Sequence, residues 1–223
     1  MINTPAIIGQ LIASRFPRAI SGYLLADWDG YYPYDYIKSD VDIATDGGTE
    51  NIPGIIATQF GWLSALNCNN LTNLITYGAN TNRIFITNCN NLTNLNLWGS
   101  GAYQITINGC NSLTTLTCTN ESTRFKSLDL SNAPSLITID CDTNCLSTLI
   151  IPSISNISGI DVSSCQLTQT VVDNIVTALL GSSVNGGILN VGGSSQGVPS
   201  AIPTLNANYT TLTTTKSWTV YHN

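Results

Sequence analysis

Cysteine, aspartate and aromatic residues recur along this chain at one interval, and each recurrence invites a chemical reading. Cys68, Cys89 and Cys110 stand 21 residues apart. A row of thiols is the raw material of a soft-metal site or of redox exchange. Asp140 and Asp161 are separated by the same 21 residues. Two carboxylates side by side are what a glycosidase uses, or what holds calcium. Tyr77 and Trp98 repeat the interval once more, with Asn80, Arg83 and Tyr103 on the neighbouring turns. Exposed aromatic rings beside polar groups make a platform for a sugar or a protein partner.

Residue types narrow these options. The cysteine row is continued by Ala133 and Ile154, so the position asks for apolar volume rather than sulfur. A tetrahedral zinc site needs converging ligands, and the only histidine is His222. Parallel side chains on stacked strands are poorly aimed for disulfides. Cys68, Cys89 and Cys110 are therefore expected to form a structural ladder, with no metal and no cofactor. Cys141 and Cys145 are the exception, as a disulfide or metal pair. With His222 next to the last residue, a Ser–His or Cys–His system has no base to build on, and no catalytic residue is expected. Asp27-x-Asp29-Gly lacks the rest of an EF-hand loop. The loop from Gly192 lacks the Lys-Ser/Thr of a phosphate-binding loop. Asp140 and Asp161 are expected on one outward, solvated face. That leaves Tyr77, Trp98, Tyr103, Arg83 and Asn80 as the candidate ligand-binding residues. Shielding of an edge, or an oligomer contact, is the alternative use for them. Tyr31, Tyr32, Tyr34 and Tyr36 carry the same ambiguity.

These groups need a scaffold, and composition describes it. The 223 residues are 43% hydrophobic but only 9% charged, against roughly 25% in ordinary soluble domains. The polar surface is therefore Asn, Thr, Ser and Gly, which suits stacked β-coils joined by side-chain ladders. Net charge is −6, with no basic cluster, which argues against binding nucleic acid through phosphates. No apolar run reaches the roughly 18 residues of a membrane span. The first residues lack a basic start and an unbroken apolar stretch, so no secretory signal is expected. Five Asn-x-Ser/Thr sequences, from Asn70 to Asn208, are read as repeat chemistry rather than glycan acceptors.

The scaffold repeats. Asn67-Cys-Asn-Asn-Leu-Thr-Asn-Leu74 returns 21 residues later as Asn88-Cys-Asn-Asn-Leu-Thr-Asn-Leu95, then as Gly109-Cys-Asn-Ser-Leu-Thr-Thr-Leu116. Each coil divides into two half-coils of ten to twelve residues. These are apolar at positions 1, 4 and 6 and small at position 9. One series runs Leu92, Leu95, Leu97, then Leu113, Leu116, Cys118, then Leu136, Ile139, Cys141. The other runs Ala102, Ile105, Ile107, then Phe125, Leu128, Leu130. Alternation at positions 4 and 6 is a short strand with one buried face. Two strands per coil make a flattened spiral whose coils bury their apolar edges only against one another.

Leu92-x-x-Leu95-x-Leu97 followed by Ala102-x-x-Ile105-x-Ile107-x-x-Cys110 resembles the bacterial leucine-rich repeats of nested 10- and 11-residue period, over about residues 60–165. The departure is Cys at position 9, where that family has Asn. The resemblance implies a mainly β fold with short helices, a leucine-rich-repeat solenoid with an α/β C-terminal cap. Three regions follow: an N-terminal cap or attachment region over residues 1–59, the solenoid over 60–165, and the α/β cap over 166–223. Residues 5–16 are expected to form a helix with Thr4 as N-cap. Residues 22–43 are expected as irregular strands and turns. Val171 to Leu180 has helical spacing ended by Gly181, Ile188 to Val191 reads as a further strand, 203–214 as a helix, and 217–221 as a closing strand. This ending, with Trp218-Thr-Val, resembles the ends of repeat proteins in bacteriophage tails and virions. That resemblance implies a non-enzymatic virion protein, partnered by other virion proteins and by a host-surface glycan or protein, as a homo-oligomer or part of a larger assembly. A purely structural virion subunit and a bacterial interaction domain are the other readings.

Overall fold

The computed structural model describes residues 23–27, 62–67, 69, 71–75, 83–119, 124–142, 145–153, 156–193, 204 and 206–222. The expected helix at residues 5–16 and the tyrosines at 31–36 lie outside them, as do Cys68, Tyr77, Asn80 and Ile154.

Short strands follow one another along the chain. They are β1 (Tyr23–Asp27), β2 (Trp62–Leu66), β3 (Asn73–Ile75), β4 (Arg83–Thr87), β5 (Asn94–Asn96), β6 (Gln104–Asn108) and β7 (Thr115–Thr117). Next come β8 (Ser127–Asp129), β9 (Thr138–Asp140), β10 (Thr148–Ile150) and β11 (Gly159–Asp161). Helix α1 (Gln169–Gly181) precedes β12 (Ile188–Asn190). A single α-turn, α2 (Ala207–Thr210), widens into a π-turn over Thr211–Thr215 before β13 (Thr219–Tyr221).

Strands that alternate along the chain belong to opposite sheets, which makes the molecule a parallel-strand β-solenoid. One sheet has the order β13-β12-β11-β9-β7-β5-β3, and all of its pairs are parallel. The other side holds β2, β4 and β6 in parallel, with β10 paired to β8 and β8 beside β6. Strand β1 runs antiparallel to β2 and takes the edge of that sheet.

Register explains the periodicity. Leu74 is opposite Leu95, Leu95 opposite Leu116, and Leu116 opposite Ile139. Ile160 and Leu189 continue the row. All six are buried, as are the position-1 residues Leu71, Leu92, Leu113 and Leu136. Each such side chain contributes about 1.5–3 kcal/mol, so the rows between coils are the main source of cohesion.

The turn out of each strand sits one residue earlier than the pattern suggested. Asn67, Asn88 and Gly109 share position 8 in successive coils, with φ of 56°, 55° and 65°. Gly99 and Ser164 hold the same position in other half-coils, at φ 64° and 56°. Gly and Asn tolerate this left-handed region best. The reversal at position 8 turns position 9 inward, where Cys89, Ser100, Cys110, Ala133 and Cys165 are all buried.

Outward polar side chains tie the coils together. Asn94 Nδ2 donates to Asn73 Oδ1 at 2.8 Å, Asn111 Nδ2 to Asn90 Oδ1 at 3.0 Å, and Asn88 Nδ2 to Asn67 Oδ1 at 3.1 Å. Thr93 and Thr114 hydroxyls each reach back 21 residues to a backbone oxygen at 2.9 Å. Asn91, in one of the sequons, donates to Asn69 O.

Helix α1 replaces the return strand between β11 and β12. Thr168 caps it by accepting from the Val171 amide, and Val172, Ile175, Val176 and Leu179 face the core. The second expected helix is shorter than its sequence pattern. Asn206 is its cap, accepting from the Asn208 and Tyr209 amides. Thr210, Thr211, Thr213 and Thr214 then return their hydroxyls to carbonyls of the preceding turn, a bond that disfavours a regular helix. Among the described residues no helix is long and apolar enough to cross a membrane.

Candidate functional site

The aromatic residues fall on one edge of the solenoid, in the corners that lead from the seven-stranded sheet back to the other side. Trp98 follows β5, in a turn whose two glycines, Gly99 and Gly101, have φ of 64° and 73°. Its amide donates to Asn96 Oδ1 at 3.1 Å, while the residue keeps 51% of its surface exposed. Five residues on, Tyr103 stands at the entry to β6.

Two arginines hold Tyr103. Arg83 opens β4 in the preceding coil, and its Nε donates to the Tyr103 hydroxyl at 2.9 Å. Its guanidinium carbon is 5.6 Å from the ring centroid. Arg124, from the following coil, brings its guanidinium to 4.4 Å. Both separations are in the range where a cation is drawn to an aromatic face. Lys126 lies beyond, donating to Gln166 Oε1 at 3.2 Å. Three of the seven basic residues of an acidic chain therefore share one edge. Such a surface stacks a planar or pyranose face on Trp98 and offers guanidinium donors to an oxyanion.

Of the five residues singled out by spacing, Arg83, Trp98 and Tyr103 are described, and the structure joins Arg83 to Tyr103. Tyr77 and Asn80 lie outside the described residues. Arg124 was not singled out. The signal was present, because Arg83, Tyr103 and Arg124 follow one another by about one coil.

Asp140 and Asp161 are direct register neighbours on the outer face of β9 and β11. Their oxygens are engaged locally. Asp161 accepts from the Ser163 amide at 2.9 Å and from Asn190 Nδ2 at 3.0 Å, and Asp140 accepts from the Asp142 amide at 3.5 Å. Burial holds the Asp140 carboxyl above its usual range, and the charges of Asp142 and Asp161 add to this. No group of three or more His, Cys, Asp or Glu is placed to hold a metal among the described residues.

Asp140 gives a pH-dependent prediction. A carboxyl raised in the folded chain binds its proton more tightly there than in the unfolded chain. Its contribution is fully present below the ordinary value of 3.8 and is lost as the pH rises through the folded value. Asp140→Asn keeps an acceptor for the Asp142 amide and removes the charge. The variant should melt higher than the wild type at neutral pH, with the gap closing in acid. Equal melting temperatures at neutral pH would contradict this.

Cys89 and Cys110 are wholly buried, and their thiols point at backbone carbonyls of the neighbouring coil and of their own turn. Burial pushes the Cys110 thiol up to about 11, which keeps it protonated and unreactive at neutral pH. Cys145 is partly exposed and receives Gln166 Nε2 at 3.7 Å. The Cys141 sulfur lies against Cys118, the latter expected from the sequence only as a core residue. His222 meets the Tyr209 hydroxyl at 3.4 Å.

The fold and edge together define a parallel β-solenoid with an aromatic and arginine-lined corner. Comparison with protein-family models, with curated proteins and with solved structures gives no match.

Proposed function

We propose that this chain is a non-enzymatic binding protein, a solenoid of the leucine-rich-repeat kind carried on a bacteriophage virion or tail, where it holds a host-surface glycan or protein. The observation that carries the binding role is Trp98. The coils bury their apolar residues in continuous rows, yet this ring is 51% exposed. It sits in the same turn as Tyr103, which is clasped by Arg83 and Arg124. Rigid aromatic anchors next to arginine are the residue types on which binding energy concentrates. The virion setting draws its support from the resemblance of residues 166–223 to phage tail repeat proteins.

The test is Trp98→Ala, assayed on an immobilised glycan panel and a panel of bacterial cells. An anchor of this kind is worth about 2 kcal/mol or more, so binding should weaken by more than about tenfold. The melting temperature should stay within a degree or two, as for other exposed positions. Binding equal to that of the wild type would remove Trp98 from the site.

A purely structural virion subunit is the second reading. It is favoured by Ile137, Ile150, Ile188 and Tyr221, which are 41%, 47%, 48% and 55% exposed. Under it the Trp98→Ala variant would still bind as the wild type does, and changes at Ile188 and Tyr221 would weaken assembly instead.

A further inference from the structure

Cys118 and Cys141 hold an arrangement that ligand binding does not use. They follow β7 and β9, two parallel strands in which Thr117 is opposite Asp140. One residue further along, the two cysteines are neighbours in adjacent coils, and the Cys118 amide donates to Asp140 O at 2.8 Å. Both occupy position 6 of their half-coils, where other coils place Leu97 and Val162, and both are 0% exposed.

Their sulfurs are 2.6 Å apart. Carbon atoms in ordinary contact settle at about 3.5–4.0 Å, and sulfur is the larger atom. The backbone spacing fits a covalent bond as well. Neighbouring strands lie about 4.8 Å apart, within the roughly 4.4–6.8 Å that a disulfide spans between Cα atoms. The remaining described cysteines are occupied otherwise. Cys89 and Cys110 donate to backbone carbonyls, Cys165 donates to Cys141 O at 3.1 Å, and Cys145 is partly exposed against Gln166.

We propose that Cys118 and Cys141 form a disulfide across the two coils when the chain folds in an oxidising environment. The oxidant is a low-molecular-weight disulfide such as oxidised glutathione. One cysteine thiolate attacks it, forming a mixed disulfide and releasing one small thiol. The second thiolate attacks the protein sulfur of that mixed disulfide, the cysteine–cysteine bond forms, and the second small thiol leaves. Two protons and two electrons pass from the pair to the oxidant. Both sulfurs are buried, so exchange takes place before the coils close or in a locally opened state. The bond closes a complete coil, β8 included, into a covalent ring, and so stops unzipping between β7 and β9.

The test uses the full chain, refolded with oxidised glutathione, then denatured, alkylated and weighed. Five of the seven cysteines should take up the alkylating agent, and peptide mapping should link the Cys118 and Cys141 peptides. In Cys118→Ser and in Cys141→Ala all six remaining cysteines should be alkylated. Reductant should lower the urea midpoint of the wild type to that of the variants and leave theirs unchanged. Seven alkylated cysteines in the wild type would overturn the proposal, and so would a bond that maps to Cys145 or Cys165, or one that survives in either variant. Mapping of the wild type alone decides the matter if a variant does not fold.

Discussion

Phe125→Ala should unfold the solenoid at a much lower urea concentration than the wild type, with a loss of about 3–5 kcal/mol. Phe125 is 0% exposed and heads the largest fully buried side chains. It occupies position 1 of its half-coil, with Ala102 in that place one coil earlier and Leu146 one coil later. A small residue on one side and a large one on the other fill the corner together, so truncation to Ala leaves two small neighbours and a void. Protein interiors relax only partly around such voids. The loss is large against a total of about 5–15 kcal/mol for a domain. Phe125→Leu, which keeps most of the volume, should cost much less. The change also reaches the binding edge, because Arg124 precedes Phe125 and leans on Tyr103 at 4.4 Å. A urea midpoint that stays at the wild-type value would mean that this corner is not packed as described.

The rows that make Phe125 important were readable because burial repeats with the coil. Leu92, Leu95 and Leu97 are spaced as a strand and its entry turn require, and all are 0% exposed. The helix over residues 169–181 was readable for the same reason, since four apolar residues fall on one face and Gly181 ends it. The shortness of α2 was harder to foresee. Its threonines have no strong apolar pattern to contradict a helix, and only their hydroxyl bonds to preceding carbonyls show why the turn widens. The left-handed turn at position 8 was hidden by conservative chemistry, because Asn, Gly and Ser there look like any polar loop.

The edge site was legible only in part. Trp98 stands out by type, and Arg83 and Tyr103 by proximity. Arg124 lies in a corner longer than its neighbours, so the count that aligns Leu113 with Leu92 does not fix where residue 124 falls. The Cys118–Cys141 contact was hidden for a related reason. The two sit 23 residues apart, whereas the Cys68, Cys89 and Cys110 row keeps the regular interval and draws the eye. Sequence alignment of coils finds rows; the length of each corner decides which side chains meet across them.

Gly187→Ala should free the end of the chain while leaving the stacked coils intact. Gly187 is buried, and a Cβ there would meet Trp218 Cζ2, Cη2 and Cε2 at 2.5, 2.6 and 2.7 Å. The contact is with a rigid ring rather than a flexible tip, so the indole has to leave. Trp218 is 3% exposed, its Nε1 donates to Val184 O at 3.3 Å, and its amide donates to Leu212 O at 3.1 Å. Moving it also strains the link between the Thr219 amide and Gly187 O, 2.9 Å long, which leads into the pairing of β12 with β13. Overpacking of this size costs about 1–3 kcal/mol. Every 1.4 kcal/mol raises the open population about tenfold. Lys216, whose Nζ bonds to Ser182 O, is the readout. Limited trypsin digestion should cut after Lys216 at least about ten times faster in the variant, with the cuts after Arg83 and Lys126 unchanged. Adding Trp218→Leu should return part of the protection, because the smaller side chain leaves room for the Cβ, and the two changes would then be non-additive. Unchanged cleavage after Lys216 in the single variant would show that the indole does not rest on Gly187. Additive losses in the double variant would show that the glycine matters for its backbone and not for the ring above it.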